Sequence, residues 1–212
     1  MGTTFHEIQR LLAAEGVIAR QNHPELDTTL RYLVRRGDLA RVLPGIYAAA
    51  DQAASLQARV RALSCLDPDA ILVGAVAARL SFWPELRVNL VECAVRHRKA
   101  PQVGYCFTRR QIPAELVVNR RGLHYTAPAL TALDLCGAMG GDAIDQALRS
   151  RATTLAQVHR AMELRPRESA IQPGDSSYLI PVRSRGRRRS ACSTAYFGTL
   201  ASPDGKPTDQ WC

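Results

Sequence analysis

The chain has 212 residues, 46% of them hydrophobic, enough for one large or two small domains with a buried core. No apolar run approaches the roughly 18 residues needed to cross a bilayer, and no basic-then-apolar leader opens the chain, so a cytoplasmic protein without membrane partners is expected. The net charge of +9 argues for an anionic partner. Nearly all of that positive charge is arginine, since Lys99 and Lys206 are the only lysines. Arginine suits bidentate contacts to phosphate and guanine; a GC-rich gene would also enrich it.

Phe5, Ile8, Leu11 and Leu12 predict a first helix with one apolar stripe. Arg20 stands at the start of a short second one. Leu26, Leu30, Leu33 and Val34 then fall at i, i+4, i+7 and i+8, which predicts a third helix with Asp27 as its N-cap and Gly37 as its stop. Its other face carries Thr28, Thr29, Arg31, Tyr32, Arg35 and Arg36. A hairpin follows, with Arg41 on its first strand and Pro44-Gly45 in the turn, a pair that suits type II geometry. Helix, basic helix and hairpin in this order describe a winged helix-turn-helix, although an amphipathic helix beside a hairpin also occurs in domains that bind no DNA. Residues 1–48 hold six arginines and five carboxylates, so any attraction to DNA would come from their arrangement rather than from bulk charge.

Residues 51–55 read as a linker. Leu56 to Leu66 is predicted as a helix, and the apolar run Ala70 to Phe82 as a buried one, closed by Trp83-Pro84. Leu86 to Val95, Val103 to Thr108, Leu116 to Val118 and Leu123 to Tyr125 read as strands. A helix over Pro128 to Cys136, capped by Thr126, follows, then helices over Asp142 to Arg149 and Leu155 to Met162, the last capped by Thr154. Arg96, Arg98, Lys99, Arg109, Arg110, Arg120 and Arg121 flank the strands, so they are a candidate second basic face. Beyond Leu164 no periodicity survives. Residues 165–212 are rich in Arg, Ser, Pro and Gly and read as a disordered basic tail or a frame-altered end.

The fold class read from these elements is α+β. It comprises a winged helix-turn-helix over residues 1–50, a mixed α/β domain with a small antiparallel sheet over residues 55–164, and the tail.

Catalytic constellations are missing from the pattern. His6, His23, His97, His124 and His159 are scattered, and no HExxH, GxSxG or glycine-rich phosphate loop occurs. The six cysteines form no CxxC pair, so no metal or cofactor is expected and reduced thiols are. Cys93 and Cys106 fall on two candidate strands that could face each other. Asp134, inside a helix, is expected to cap or to pair with an arginine.

The run GVIARQNHPELDTTLRYLVRRGDLARVLPGIYA resembles the N-terminal winged helix of AbiEi-type antitoxins, most specifically in its RRGDLARVLPGIYA portion. The later YTAPALTALDL, Tyr125 to Leu135, is similar to a second marker of that family, and the resemblance covers residues 4–164. Two departures stand out: Leu130 replaces an arginine common in that marker, and Gly74-Ala75 replaces a serine-histidine pair. The resemblance implies a non-enzymatic antitoxin of a bacterial abortive-infection toxin–antitoxin pair. Such a protein binds double-stranded DNA at its own promoter, represses its own operon and neutralises a nucleotidyltransferase-like toxin. On this reading Arg20, Thr28, Thr29, Arg31, Tyr32, Arg35, Arg36 and Arg41 contact DNA, and the second basic face extends the footprint or meets the toxin. Two alternatives are a metal-dependent nuclease related to longer family members and a toxin-binding protein without DNA binding.

Overall fold

The computed structural model describes residues 2–164 of the chain, and the expected tail lies outside them. The architecture is α+β. Helix α1 spans Gly2–Glu15 and turns Ile8 inward. Gly16, at φ +77°, ends it, and its amide donates to the Leu12 carbonyl at 2.9 Å. The short strand β1, Ile18–Ala19, comes next. Two 3-10 turns, Arg20–Asn22 and Pro24–Leu26, lead into helix α2, Asp27–Arg36.

The expected stripe of α2 is what the helix buries. Leu26, Leu30 and Leu33 pack with Ile8, Ile18, Leu39 and Tyr47, and Val34 lies against this cluster. Gly37 adopts φ +89°, its amide donating to Val34 O while the Asp38 amide donates to Leu33 O. That pair of bonds is a Schellman closure, which needs the left-handed conformation glycine adopts cheaply.

Strands β2, Leu39–Leu43, and β3, Ile46–Ala49, form the predicted hairpin through Pro44-Gly45, with Gly45 at φ +74°. Pairing is antiparallel, Leu39 opposite Ala49 and Leu43 opposite Ile46, with a register shift between Arg41 and Leu43. Strand β1 adds to the far edge of β3, giving the order β1-β3-β2. Alternation along a strand sends successive side chains to opposite faces. Ile18 and Tyr47 join the α2 side, whereas Val17, Ala19, Ile46 and Ala48 join the larger core beneath.

Helix α3, Leu56–Leu66, starts at Ser55, whose hydroxyl accepts from the Ala58 amide at 3.1 Å. Its Ala58, Val60, Ala62 and Leu63 belong to that same larger core, which continues into a five-stranded sheet. The strands are β4 (Ile71–Leu72), β5 (Val91–Val95), β6 (Tyr105–Arg109), β7 (Val117–Arg120) and β8 (Leu123–Thr126), in the order β6-β5-β4-β8-β7. The sheet is mixed rather than antiparallel as expected, because β4 runs parallel to β8 and β5 parallel to β6. Helices α4 (Gly74–Ser81), α5 (Pro128–Met139), α6 (Asp142–Arg149) and α7 (Leu155–Leu164) complete the described chain.

Four local expectations are corrected. The run Ala70 to Phe82 is not one helix: Ile71 and Leu72 form the central strand, held between β5 and β8, and α4 begins only after Val73. A two-residue strand has no period to read, so an apolar run conceals it. The strand expected from Leu86 is confined to Val91–Val95. Thr126 does not cap α5; Ala127 holds that position. Thr126 is instead fully buried, its hydroxyl 2.7 Å from that of Thr131, which also reaches the Thr126 and Ala127 carbonyls. Asp27 is likewise no N-cap but the first residue of α2, preceded by Leu26 with no side-chain cap.

At α7 the expected cap is present and reciprocal: Thr154 Oγ1 accepts from the Gln157 amide, and Gln157 Oε1 accepts from the Thr154 amide. This is a capping box, two first-turn amides satisfied by two side chains.

Candidate nucleic-acid interface

The apolar stripe of α2 faces inward, so helical geometry turns its polar residues outward. Thr28, Arg31, Tyr32, Arg35 and Arg36 are exposed, Thr29 half-buried, and Arg20 and Arg41 exposed on the preceding turn and on β2. Tyr32 leaves 52% of its surface open. The Arg36 guanidinium stands 5.7 Å from its ring centroid and also pairs with Asp38. Asp38 holds the Arg36 guanidinium more firmly protonated than usual.

Asp27 is the organiser that the sequence reading missed. One carboxylate oxygen lies 2.8 Å from Arg31, one turn along α2; the other lies 3.5 Å from Arg20 and has no hydrogen-bond partner. Two candidate phosphate or base contacts are thus tied to one carboxylate. The i,i+4 spacing of Asp27 and Arg31 was legible as a helix-surface pair. The Arg20 contact depends on the 3-10 turns and was not.

The second group of cations is gathered at one end of the five-stranded sheet. Since β5, β6 and β7 run opposite to β4 and β8, their C-terminal ends lie at the same end of the sheet, β7 at the edge opposite β6. Several charges there are already matched. Lys99 pairs with Asp67 at 2.9 Å, Arg96 approaches Asp69 at 3.9 Å, and Arg110 makes two bonds to Asp134, at 2.6 and 3.1 Å. Asp134 therefore pairs with an arginine, as expected for it. Arg109, Arg120 and Arg121 have no ion pair among the described residues.

Near the Arg110–Asp134 pair, Glu92 of β5 closes the start of α4, its carboxylate accepting from the Ala75 amide at 3.4 Å. Burial pushes its pKa up, the Ala75 amide opposes this, and Asp134 adds to it. Gly74, at φ +60°, makes room: a Cβ there would lie 2.1 Å from a Glu92 carboxylate oxygen.

Cys93 is fully buried, and burial raises its thiol to about 12. It lies opposite Phe107 rather than Cys106 in the β5–β6 ladder, and the two cysteines are not joined in a disulfide. Among the described residues no three His, Cys, Asp or Glu side chains form a metal-holding group, and no helix is long and apolar enough to cross a membrane.

The family model for the AbiEi antitoxin C-terminal domain matches residues 62–179, more than half of the chain. The chain belongs to the AbiEi antitoxin family. The match takes in α4 to α7 and the whole five-stranded sheet, including the YTAPALTALDL segment, and continues past Leu164, where the resemblance was expected to end. It does not include the RRGDLARVLPGIYA segment. Antitoxin membership makes a toxin the counterpart of this protein. No curated protein matches it.

Proposed function

We propose that this AbiEi antitoxin binds the double-stranded DNA of its own promoter and represses its own operon in the cytoplasm. Residues 1–50 would act as a winged helix-turn-helix and residues 55–164 as the toxin-binding part. The observation that carries the reading is the two-sidedness of α2. Leu26, Leu30 and Leu33 are sealed in the core, while Thr28, Arg31, Tyr32, Arg35 and Arg36 project from the opposite face. A helix presented in this way, beside a hairpin that exposes Arg41 and Pro44, fits the major groove of B-form DNA.

Thr28, Thr29 and Arg31, near the start of α2, are assigned to base edges. Tyr32, Arg35, Arg36 and Arg20 are assigned to phosphates, and Arg41 of the hairpin to the backbone or minor groove. The second basic group enters this reading reduced: Arg96, Lys99 and Arg110 are already matched by carboxylates, which leaves Arg109, Arg120 and Arg121 for further anionic contacts. The counterpart toxin is taken to be nucleotidyltransferase-like, as the resemblance implies.

The test is a mobility-shift titration of the full chain against its own upstream DNA over a range of salt. Arg31→Ala is expected to cost about 1–3 kcal/mol on the specific site and to relax base preference. Arg35→Ala is expected to weaken every sequence alike and to flatten the salt slope by about one unit. Absence of any shift at low salt, from protein that still captures its toxin, would overturn the DNA-binding reading.

A further inference from the structure

A cleft of about 730 Å³ opens between α3, α4 and the β7–β8 hairpin. Four arginines line it, Arg61 from α3, Arg79 from α4, and Arg120 and Arg121 from the hairpin, and no carboxylate does. Arg79 donates to the Leu86 carbonyl at 2.9 Å, which steers its guanidinium without neutralising it. Arg61, Arg120 and Arg121 form no ion pair among the described residues. Elsewhere this protein matches several of its cations with acids, as at Arg110 and Lys99. Four like charges around one concavity, with no carboxylate among them, give it a positive potential that favours an anion.

The walls limit what that anion can be. Leu56, Val60, Leu80 and Leu123 make much of the lining apolar, and Gln57 adds a neutral donor and acceptor. A bare phosphate would leave the apolar walls unused. A DNA backbone needs no recess of this size, since phosphates are met on open surface. A concave site of several hundred Å³ with apolar walls and a few convergent polar groups is the usual form of a small-ligand site. Guanidinium groups grip phosphate oxygens in pairs.

The hairpin supplies a separate indication. Arg121 and Gly122 are its two loop residues, both with positive φ, +54° and +74°. Turns of this kind favour Asn or Gly at the first loop position, and a bulky side chain there costs stability. The side chain held at that cost is a cation on the cleft rim, and strain of this sort gathers where a ligand is met.

We infer that the cleft between α3, α4 and the β7–β8 hairpin binds a nucleoside polyphosphate, with the phosphates among Arg61, Arg79, Arg120 and Arg121 and the base against the apolar walls. This goes beyond the antitoxin and repressor roles, neither of which requires a small ligand.

Calorimetric titration of the full chain tests it, with ATP, GTP, adenosine, pyrophosphate, a polyglutamate peptide and a short DNA duplex of unrelated sequence as probes. Saturable one-to-one binding of ATP or GTP is expected, tighter than pyrophosphate or adenosine and weakened by salt. Arg61→Ala and Arg121→Ala should each reduce that affinity by about tenfold or more. Arg121→Gly removes charge and strain together, so it should bind the nucleotide less tightly while melting no lower than the parent chain. No heat from either nucleotide at about 1 mM, or equal affinity in the arginine variants, would overturn the inference. Heat from polyglutamate alone, or from the duplex alone and lost in Arg61→Ala, would also overturn it, assigning the cleft to a macromolecule.

Discussion

The Asp27 carboxylate stands 2.8 Å from the Arg31 guanidinium and, through its second oxygen, 3.5 Å from that of Arg20. One acid therefore orients two cations that would otherwise sample many rotamers, Arg31 on the face of α2 assigned to DNA and Arg20 on the turn before it. It also sits in the first turn, where a negative charge is favoured by the helix dipole.

Asp27→Asn keeps the shape and removes the charge. Loss of the dipole interaction should cost about 0.3–1 kcal/mol, visible as a small drop in melting temperature. Both arginines lose their anchor while the module becomes more positive. The variant is thus expected to bind unrelated DNA more tightly and to discriminate less well in mobility shifts. Better discrimination by Asp27→Asn would show that the carboxylate does not position these side chains.

Gly74 tests the junction of β4 and α4. An alanine there must hold φ near +60° and place its Cβ 2.1 Å from Glu92. The carboxylate can swing away only by giving up the Ala75 amide. Gly74→Ala should cost about 1–3 kcal/mol, or several degrees in thermal melting. Adding Glu92→Ala should recover part of the loss but not the backbone strain. Full additivity of the two substitutions would mean that they do not meet.

Glu92 also makes stability depend on pH. Its pKa in the folded chain is raised, chiefly by burial. Such a group favours the folded state fully below the ordinary carboxylate value, and that contribution is lost as pH rises through the raised folded value. Glu92→Gln mimics the protonated form at every pH. It should melt like the parent in mild acid and higher than the parent at neutral pH. A gain that persists unchanged into acid would point to packing rather than ionisation.

The buried pair Thr126 and Thr131 predicts an unequal response. Thr131 has the Thr126 and Ala127 carbonyls within reach as well as the Thr126 hydroxyl. Removing the Thr126 hydroxyl leaves Thr131 satisfied, whereas removing that of Thr131 strands the Thr126 hydroxyl in a fully buried site. Thr131→Val should therefore lose about 1–3 kcal/mol and Thr126→Val less, as measured by denaturant unfolding. The reverse order would place the essential donor on Thr126.

Legibility from sequence followed the distance over which each feature is decided. The buried stripe of α2, its glycine closure, the Pro44-Gly45 turn, α3, α6 and the Thr154 cap all depend on neighbours within a few residues, and each was readable. The central strand β4 was not, because two residues between Ala70 and Val73 become a strand only when β5 and β8 arrive beside them. The same limit applied to the sites. The polar face of α2 could be read from one segment. The Arg20 contact to Asp27 depends on two aperiodic 3-10 turns, and the meeting of Arg61 and Arg79 with the hairpin arginines depends on chain segments far apart in sequence.

The small sheet β1-β3-β2 is covered on both sides, by α2 above and by α3 below. A fragment cut after Ala49 would leave Val17, Ala19, Ile46 and Ala48 bare to water, an adhesive underside inviting self-association. Excising the first fifty residues for operator studies is therefore expected to yield aggregates unless α3 is retained as their floor.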